Sequence, residues 1–441
     1  MTDTIEAKPI EGTGAPTPSF VEALRVWGKI GILSFGGPAG QIALMHRVLV
    51  EEKKWIDEPR YLSALNFCML LPGPEATQLA TYVGWRLHGV KGGLAAGLLF
   101  VLPGALVILI LSMLYAALGK LPVAEALMVG VKAAVLAIVV EALLRIARRG
   151  LKARADQVLA AAAFVAIFFF GVPFPLIVLA AAIYGFQRSS SASAMDLVPA
   201  PTIPLKQTVA TTVLWLAIWI VPLLGIAAWF GSGHVLAQIG LFFSKLAVVT
   251  FGGAYAVLAY MAQDVVQHFG WLSAGEMVDG LGLAETTPGP LILVTEFVGF
   301  LASFRHGGGN PWAMGVLGAI ITLWATFAPC FLWIFVGAPY IEWLRTAPRL
   351  QSALAAVTAA VVGVILNLTV WFALHVLFGT ITETWAGPLR LYLPQLSSLS
   401  WVAVGLSALA VLLLFKLHRS IIETLSVCAV LSLALYSVGL A

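Results

Sequence analysis

Leu71-Pro72-Gly73-Pro74-Glu75 and Thr287-Pro288-Gly289-Pro290-Leu291 are two versions of one stretch, each set in long apolar sequence. Two prolines remove two amide donors and the glycine between them adds freedom, so a helix cannot run through. In lipid, interrupted backbone persists only where protein or a water-filled cavity covers it. Each Pro-Gly-Pro is therefore expected to form the tip of a broken helix facing an internal site.

The two tips belong to a larger pattern. Ser34-Phe35-Gly36-Gly37 recurs as Thr250-Phe251-Gly252-Gly253, and Trp55 recurs as Trp271. These matches and the Pro-Gly-Pro pair share one offset of 216 residues. Further on, Val83-Gly84 matches Val298-Gly299 after a one-residue deletion. Pro103 matches Pro329 after an insertion around Gly307-Gly308-Gly309. Order and spacing together indicate an internal duplication. The expected division is a polar tail at 1–20 and a first repeat at 21–187. A linker with one unpaired span follows at 188–235, then a second repeat at 236–441.

Composition sets the class. The chain has 441 residues, of which 60% are hydrophobic and 10% charged. Soluble domains carry roughly a quarter charged residues. Many apolar runs exceed the ~18 residues that mark a membrane-spanning helix. The expected fold is an all-α polytopic membrane protein with the lipid bilayer as its surroundings. A net charge of +4 implies no nucleic-acid partner, since the basic residues sit mainly in loops. Cys68, Cys330 and Cys428 are far apart in apolar segments and suggest neither a disulfide framework nor a metal cluster. Met1 to Phe20 lacks the basic-then-apolar pattern of a cleavable signal peptide.

Loop charge gives orientation. The loop around Arg47, Lys53, Lys54 and Arg60 is basic; its counterpart, Asp264 to Glu276, has no Lys or Arg. The five basic residues of Arg145 to Arg154 likewise face a counterpart without any, at about 371–380. Lys120 runs the other way, matched by a loop holding Arg345 and Arg349. A bias that flips between halves is expected of inverted-topology repeats, and the unpaired span Thr208 to Phe230 supplies the odd crossing. Two plausible full spans are about Gly92 to Leu118 and Val123 to Leu144. Val172-Pro173-Phe174-Pro175 is expected to separate two helices. The Gly-Gly and Pro-Gly-Pro segments either re-enter as hairpins or cross as kinked helices; both readings stay open.

Broken helices point their ends at a site, and amides at a half-helix N-terminus suit an anion. Four ends are candidates: those after Gly37, Gly253, Pro74 and Pro290. Lys29 and Lys245 share the repeat offset and would form a buried pair suited to a dianion. Glu75, in the first turn after Pro74, is read either as helix-dipole compensation or as a proton-carrying or gating carboxylate. Thr77, Gln78, Thr286, Thr287 and Thr295 offer polar groups near the ends. Glu296 has no acidic match in the first half. Glu141 is best explained by pairing with Arg145, four residues on. The seven histidines are scattered, and no phosphate-binding Gly-rich loop with Lys-Ser/Thr is present. No nucleophile has a partner base, so the sequence points away from an enzyme and to no cofactor.

Phe35-Gly36-Gly37-Pro38, Trp55, Leu71-Pro72-Gly73-Pro74-Glu75-Ala76-Thr77-Gln78 and Val83-Gly84 together resemble the chromate ion transporter family. Phe251-Gly252-Gly253 through Thr287-Pro288-Gly289-Pro290 is similar to that family's second domain. The resemblance covers nearly the whole chain beyond Phe20 and implies the long, two-domain form. It further implies chromate export across the bacterial inner membrane, giving resistance, with sulfate as a related oxyanion. The alternatives are an oxyanion channel and a sulfate-type importer or exchanger. The oligomeric state is left open, a homodimer being one arrangement.

Overall fold

The computed structural model describes residues 18–35, 37–119, 121–188, 204–249, 251, 254–341 and 348–440. Gly36, Gly252 and Gly253, three of the candidate site positions, lie outside the described residues.

Both Pro-Gly-Pro stretches separate helices, and a helix ends shortly before each Gly-Gly pair. In the first copy, α1 (Phe20–Leu33) gives way to α2 (Gly37–His46), which runs into a π turn at Arg47–Glu52. Then come α3 (Glu58–Cys68), α4 (Glu75–Leu118), α5 (Pro122–Gly150), α6 (Arg154–Phe170) and α7 (Phe174–Arg188). The span α8 (Leu205–Phe230) follows. The second copy holds α9 (Val235–Val249), α10 (Ala254–Gln263) with a π turn at Asp264–His268, and α11 (Ala274–Thr286). A 3₁₀ turn at Leu291–Leu293 leads to α12 (Val294–His306) and α13 (Pro311–Gly337). The chain continues with α14 (Pro348–Leu377), a hairpin of β1 (Ile381–Ala386) and β2 (Leu389–Pro394), α15 (Trp401–Val411) and α16 (Ile421–Ser437).

This is an all-α polytopic membrane protein apart from that hairpin. Helices α4, α5, α8, α13 and α14 are long and apolar enough to cross a bilayer. On the second arm of α4, Leu98, Leu102, Leu106, Ile110, Leu114 and Leu118 are exposed at every fourth position. A stripe of that spacing lies along one helix face, and its apolar character suits lipid. The turn expected at Val172–Pro175 is present: α6 ends at Gly171, with φ 61°, before Pro173.

Helix α4 is two helices rather than one. His88 and Gly89 leave helical geometry, Gly89 at φ 62° and ψ −154°. A methyl group on Gly84 would lie 2.4 Å from the Gly92 carbonyl oxygen and 2.5 Å from Ala96 Cβ. Eight residues of straight helix would separate these by about 12 Å, so the arms fold back on each other through small residues. The second copy repeats the device. A methyl on Gly299 would meet Thr322 Oγ1 at 1.9 Å and the Gly318 carbonyl at 3.0 Å, bringing α12 against α13. Close backbone approach through small residues is how helices associate where the surroundings are apolar.

The duplication extends to individual hydrogen bonds. The Lys53 amide donates to Val48 O (2.9 Å) and the Phe269 amide to Asp264 O (2.9 Å). The Trp55 amide donates to Leu49 O (2.8 Å), and the Trp271 amide to Val265 O (3.0 Å). All four pairs differ by the sequence offset. Trp55 and Trp271 are both buried.

Cα proximity divides the chain into two compact units that do not coincide with the copies. Unit 1 comprises the described parts of Met1–Ile110, Ser189–Ala254 and Thr287–Gln351. Unit 2 comprises those of Leu111–Arg188, Tyr255–Thr286 and Ser352–Ala441. Each unit therefore contains pieces of both copies.

Candidate functional site

Unit 1 brings a break from one copy against a tip from the other. Helix α1 stops where Ser34 turns its hydroxyl back to the Ile30 carbonyl (2.6 Å). The Phe35 amide then donates to Leu33 O (2.9 Å), and Gly37 takes φ 68° to start α2. Onto this break sits the second Pro-Gly-Pro. The Gly289 amide donates to the Ser34 carbonyl (2.8 Å). The Gln41 side-chain amide donates to the Gly289 carbonyl (2.6 Å). Gly289 is thus held on both its backbone groups. Its φ of 88° is one that L side chains rarely adopt. Gly104 of α4 completes the seat, since a methyl there would lie 2.2 Å from the Pro288 carbonyl oxygen.

The first Pro-Gly-Pro is organised differently. Gly73 has φ 109°, and the Gln78 side-chain amide reaches back to the Pro72 carbonyl (2.7 Å). Pro74 is buried, and Glu75, half-buried, opens α4. A methyl on Gly73 would lie 3.4 Å from Cys330 Sγ, so α13 flanks this tip within the same unit. Several buried polar atoms of unit 1 have no partner among the described residues: Gln41 Oε1, Thr77 Oγ1, Gln78 Oε1, Thr326 Oγ1 and Glu296 Oε2. Buried polar groups in native structures are nearly always hydrogen-bonded, so such atoms are places for a polar ligand or water.

Other candidates fall elsewhere. Lys29 and Lys245 both lie in unit 1, yet both are exposed. The expected burial of the pair does not occur, because α1 packs through Ala23, Val26, Trp27, Ile30 and Gly31. Helix α9 likewise packs through residues either side of Lys245. Long cationic stems at exposed positions can reach water. Thr286 bonds its own helix at Leu283 O (2.7 Å), and Thr295 bonds Ile292 O (2.8 Å) in the 3₁₀ turn just ahead of α12. Thr287 is buried beside Pro288, and Phe35 and Phe251 are half-buried. Glu141 pairs with Arg145 as expected.

Unit 2 holds polar groups that sequence reasoning missed. Asp279 on α11 is 7% exposed. It accepts from Tyr115 Oη (2.7 Å) and faces Lys132 Nζ at 3.1 Å. Glu285, on the same helix and 4% exposed, accepts from Tyr255 Oη (2.9 Å). The available signal was three acids, Glu276, Asp279 and Glu285, in a stretch otherwise apolar enough for a membrane. Gln41 was missed too, although it follows Gly37 by one turn. A small cavity, lined in part by Gln263, Gln267, Asn367 and Tyr392, lies in unit 2 and includes none of the broken-helix residues. Its Arg390 guanidinium is already bonded to the Ile167 and Phe168 carbonyls and to Gln267. It serves to cap α6, and the tips remain the better candidate site. Burial pushes the nearby Tyr392 phenol up.

The family model for chromate transporters matches residues 21–186 and 237–435. The chain belongs to the chromate transporter family. Both matched regions start fifteen residues ahead of the Gly-Gly pair of a copy. The chain is 32% identical to a chromate transport protein of Pseudomonas aeruginosa, over 79% of this chain and 80% of the relative. It is 30% identical to a chromate transport protein of Cupriavidus metallidurans (81% and 84% covered). It is 29% identical to a probable chromate transport protein of Synechococcus elongatus (80% and 85%). No solved structure matches. In this member of the chromate transporter family, then, the two tips and the first Gly-Gly break share one compact unit.

Proposed function

We propose that this chain is a secondary transporter that exports chromate across the bacterial inner membrane and confers resistance, with sulfate as a related cargo. One observation carries the reading: Gly289 of the second copy docks on Ser34 and Gln41 of the first. That docking gathers helix starts, at Gly37 and after Pro290, whose amides suit an oxyanion. The hydroxyl of Thr77 and the second N–H of Gln41 and of Gln78 add donors. Phe35, Gly37, Pro72, Gly73, Pro74, Thr287, Pro288 and Pro290 shape the tips, and Gly36 is assigned to the site from the sequence motif. By the repeat, Phe251, Gly252 and Gly253 are assigned the matching role. Glu75 sits at the α4 start as a gate. Lys29 and Lys245, being exposed, attract the anion along its approach rather than enclose it.

The names of the relatives support chromate as cargo. An inside-negative potential drives an anion outward by ~2.3 kcal/mol per charge per 100 mV, doubled for a dianion. Chromate and sulfate are both tetrahedral dianions, and discrimination between near-isosteres is modest. The test is chromate uptake into inverted membrane vesicles, with and without a membrane potential and with sulfate as competitor. Saturable, potential-driven uptake that sulfate reduces is expected. Uptake equal to that of vesicles lacking the protein overturns the reading; non-saturating single-channel currents replace it with a channel.

The reading includes opposite orientation of the copies, supported by turns of equal backbone but unequal charge. Lys53 and Lys54 stand where the second copy has Phe269 and Gly270. Reporter tags at Lys53 and Asp264 are expected on opposite membrane faces; the same face for both removes the inversion.

A further inference from the structure

Helix α11 carries two buried carboxylates in different company. Asp279 has a cation, Lys132 Nζ at 3.1 Å, and a phenol donor, Tyr115 Oη at 2.7 Å. Glu285, about a turn and a half further on, has the Tyr255 hydroxyl at 2.9 Å on Oε1. Its Oε2 is buried without a partner among the described residues. The charged groups facing Glu285 come from α5. They are Arg145 and Glu141, and these two are bonded to each other. Their charges cancel as a pair, so Glu285 has no cation of its own among these neighbours. A carboxylate so placed is costly to keep charged in a membrane protein, and such residues mark ion and proton pathways.

Its position in the chain matters as much. The chain re-enters unit 2 at Tyr255 and leaves it again after Thr286. The Tyr255–Glu285 hydrogen bond therefore closes the α10–α11 segment at both of its ends. Directly after it comes the Thr287-Pro288-Gly289-Pro290 tip. The first copy has no equivalent, since the offset places Ala39 opposite Tyr255 and Met69 opposite Glu285.

We propose that Glu285 is the proton-binding site of the transport cycle, taking up and giving back one proton with each anion moved. The proton arrives from water and forms an O–H bond at Oε2; on release it returns to water, and no electrons move. While the carboxylate is ionised, the Tyr255 hydroxyl donates to it. This inference rests on the transport reading given above.

The test uses the full-length protein in liposomes with a pH-sensitive dye in the lumen. Chromate movement by the wild type is expected to change lumen pH, and Glu285→Gln to lose that change while still binding chromate. Wild-type chromate movement with no lumen pH change overturns the proton site and leaves the transport reading intact. No chromate movement by the wild type overturns the transport reading itself. Proton movement retained in Glu285→Gln also overturns the inference. Should Glu285→Gln insert but not transport, Glu285→Asp and Tyr255→Phe decide. Both keep a carboxylate and are expected to move the midpoint of the pH–rate profile; unchanged midpoints in both overturn it.

Discussion

The turn leading into α3 and the turn leading into α11 have the same backbone and different side chains. Each closes its π turn with the same two hydrogen bonds and buries one tryptophan. Each caps the next helix from a matched position. Asp57 accepts from the Arg60 amide (2.8 Å), and Ser273 from the Glu276 amide (3.3 Å). Beyond the cap they part: α11 buries Asp279 and Glu285 where α3 has Ser63 and Met69. Local geometry has been kept by turn chemistry while the buried charge has become the property of one copy. The two halves of a duplicated transporter can thus share a scaffold without sharing a task.

The sharpest way to break this comparison is to remove the charge. Asp279→Ala strands Lys132, and breaking a buried pair costs ~3–5 kcal/mol, reduced here to roughly 2–3 because Lys132 is partly exposed. Met69→Ala, at the exposed position matched to Glu285, should cost under about 0.5 kcal/mol. Thermal unfolding of the purified protein in detergent measures both, and equal losses would dissolve the distinction. Next come the tips. Gly289→Ala puts a methyl at φ 88°, 3.3 Å from Gly104 Cα and 3.0 Å from Leu293 Cδ1. Strain and crowding together are expected to cost about 2 kcal/mol and to stop chromate uptake. Gly73→Ala meets the movable Gln78 and Cys330 side chains instead, so a smaller loss, about 1 kcal/mol, is expected from strain alone.

Smaller effects sharpen the shared part. Asp57→Ala and Ser273→Ala should each cost about 1 kcal/mol, and by similar amounts, since both remove an N-cap acceptor. The least effect is expected at the residue following the π turn. Lys54 adopts φ 54° where the second copy has Gly270 at φ 62°. Lys54→Gly should therefore stabilise by a few tenths to about 1 kcal/mol, and Gly270→Lys should destabilise by a similar amount. Melting temperatures moving in the same direction for both would mean the turns are not equivalent.

Much of the chain order could be read directly. Pro-Gly-Pro and Val172–Pro175 stop helices through local backbone chemistry, and local chemistry is written in neighbouring residues. The offset between copies is equally visible, because it needs identity rather than contact. What escaped depends on partners distant in the chain. Nothing near Gly289 announces that Ser34 and Gln41 will hold it. Lys29 and Lys245 share the repeat offset, but which helix face each occupies is decided by what α1 and α9 pack against. The hairpin at Ile381–Pro394 had its own cue, a Gly387-Pro388 turn between alternating β-branched and aromatic residues. It was lost in a chain otherwise dominated by apolar helix.

That each compact unit draws on both copies has a bearing on biogenesis. Unit 1 needs residues up to Gln351 and unit 2 needs residues up to Ala441. Unit 1 therefore cannot be completed until more than half of the second copy has been made, and unit 2 not until its end. The first seven helices must wait in the bilayer, partly unpartnered, for segments synthesised long after them. Two polypeptides cut within the linker ahead of α8 should consequently be short-lived when made separately and should rescue one another when made together.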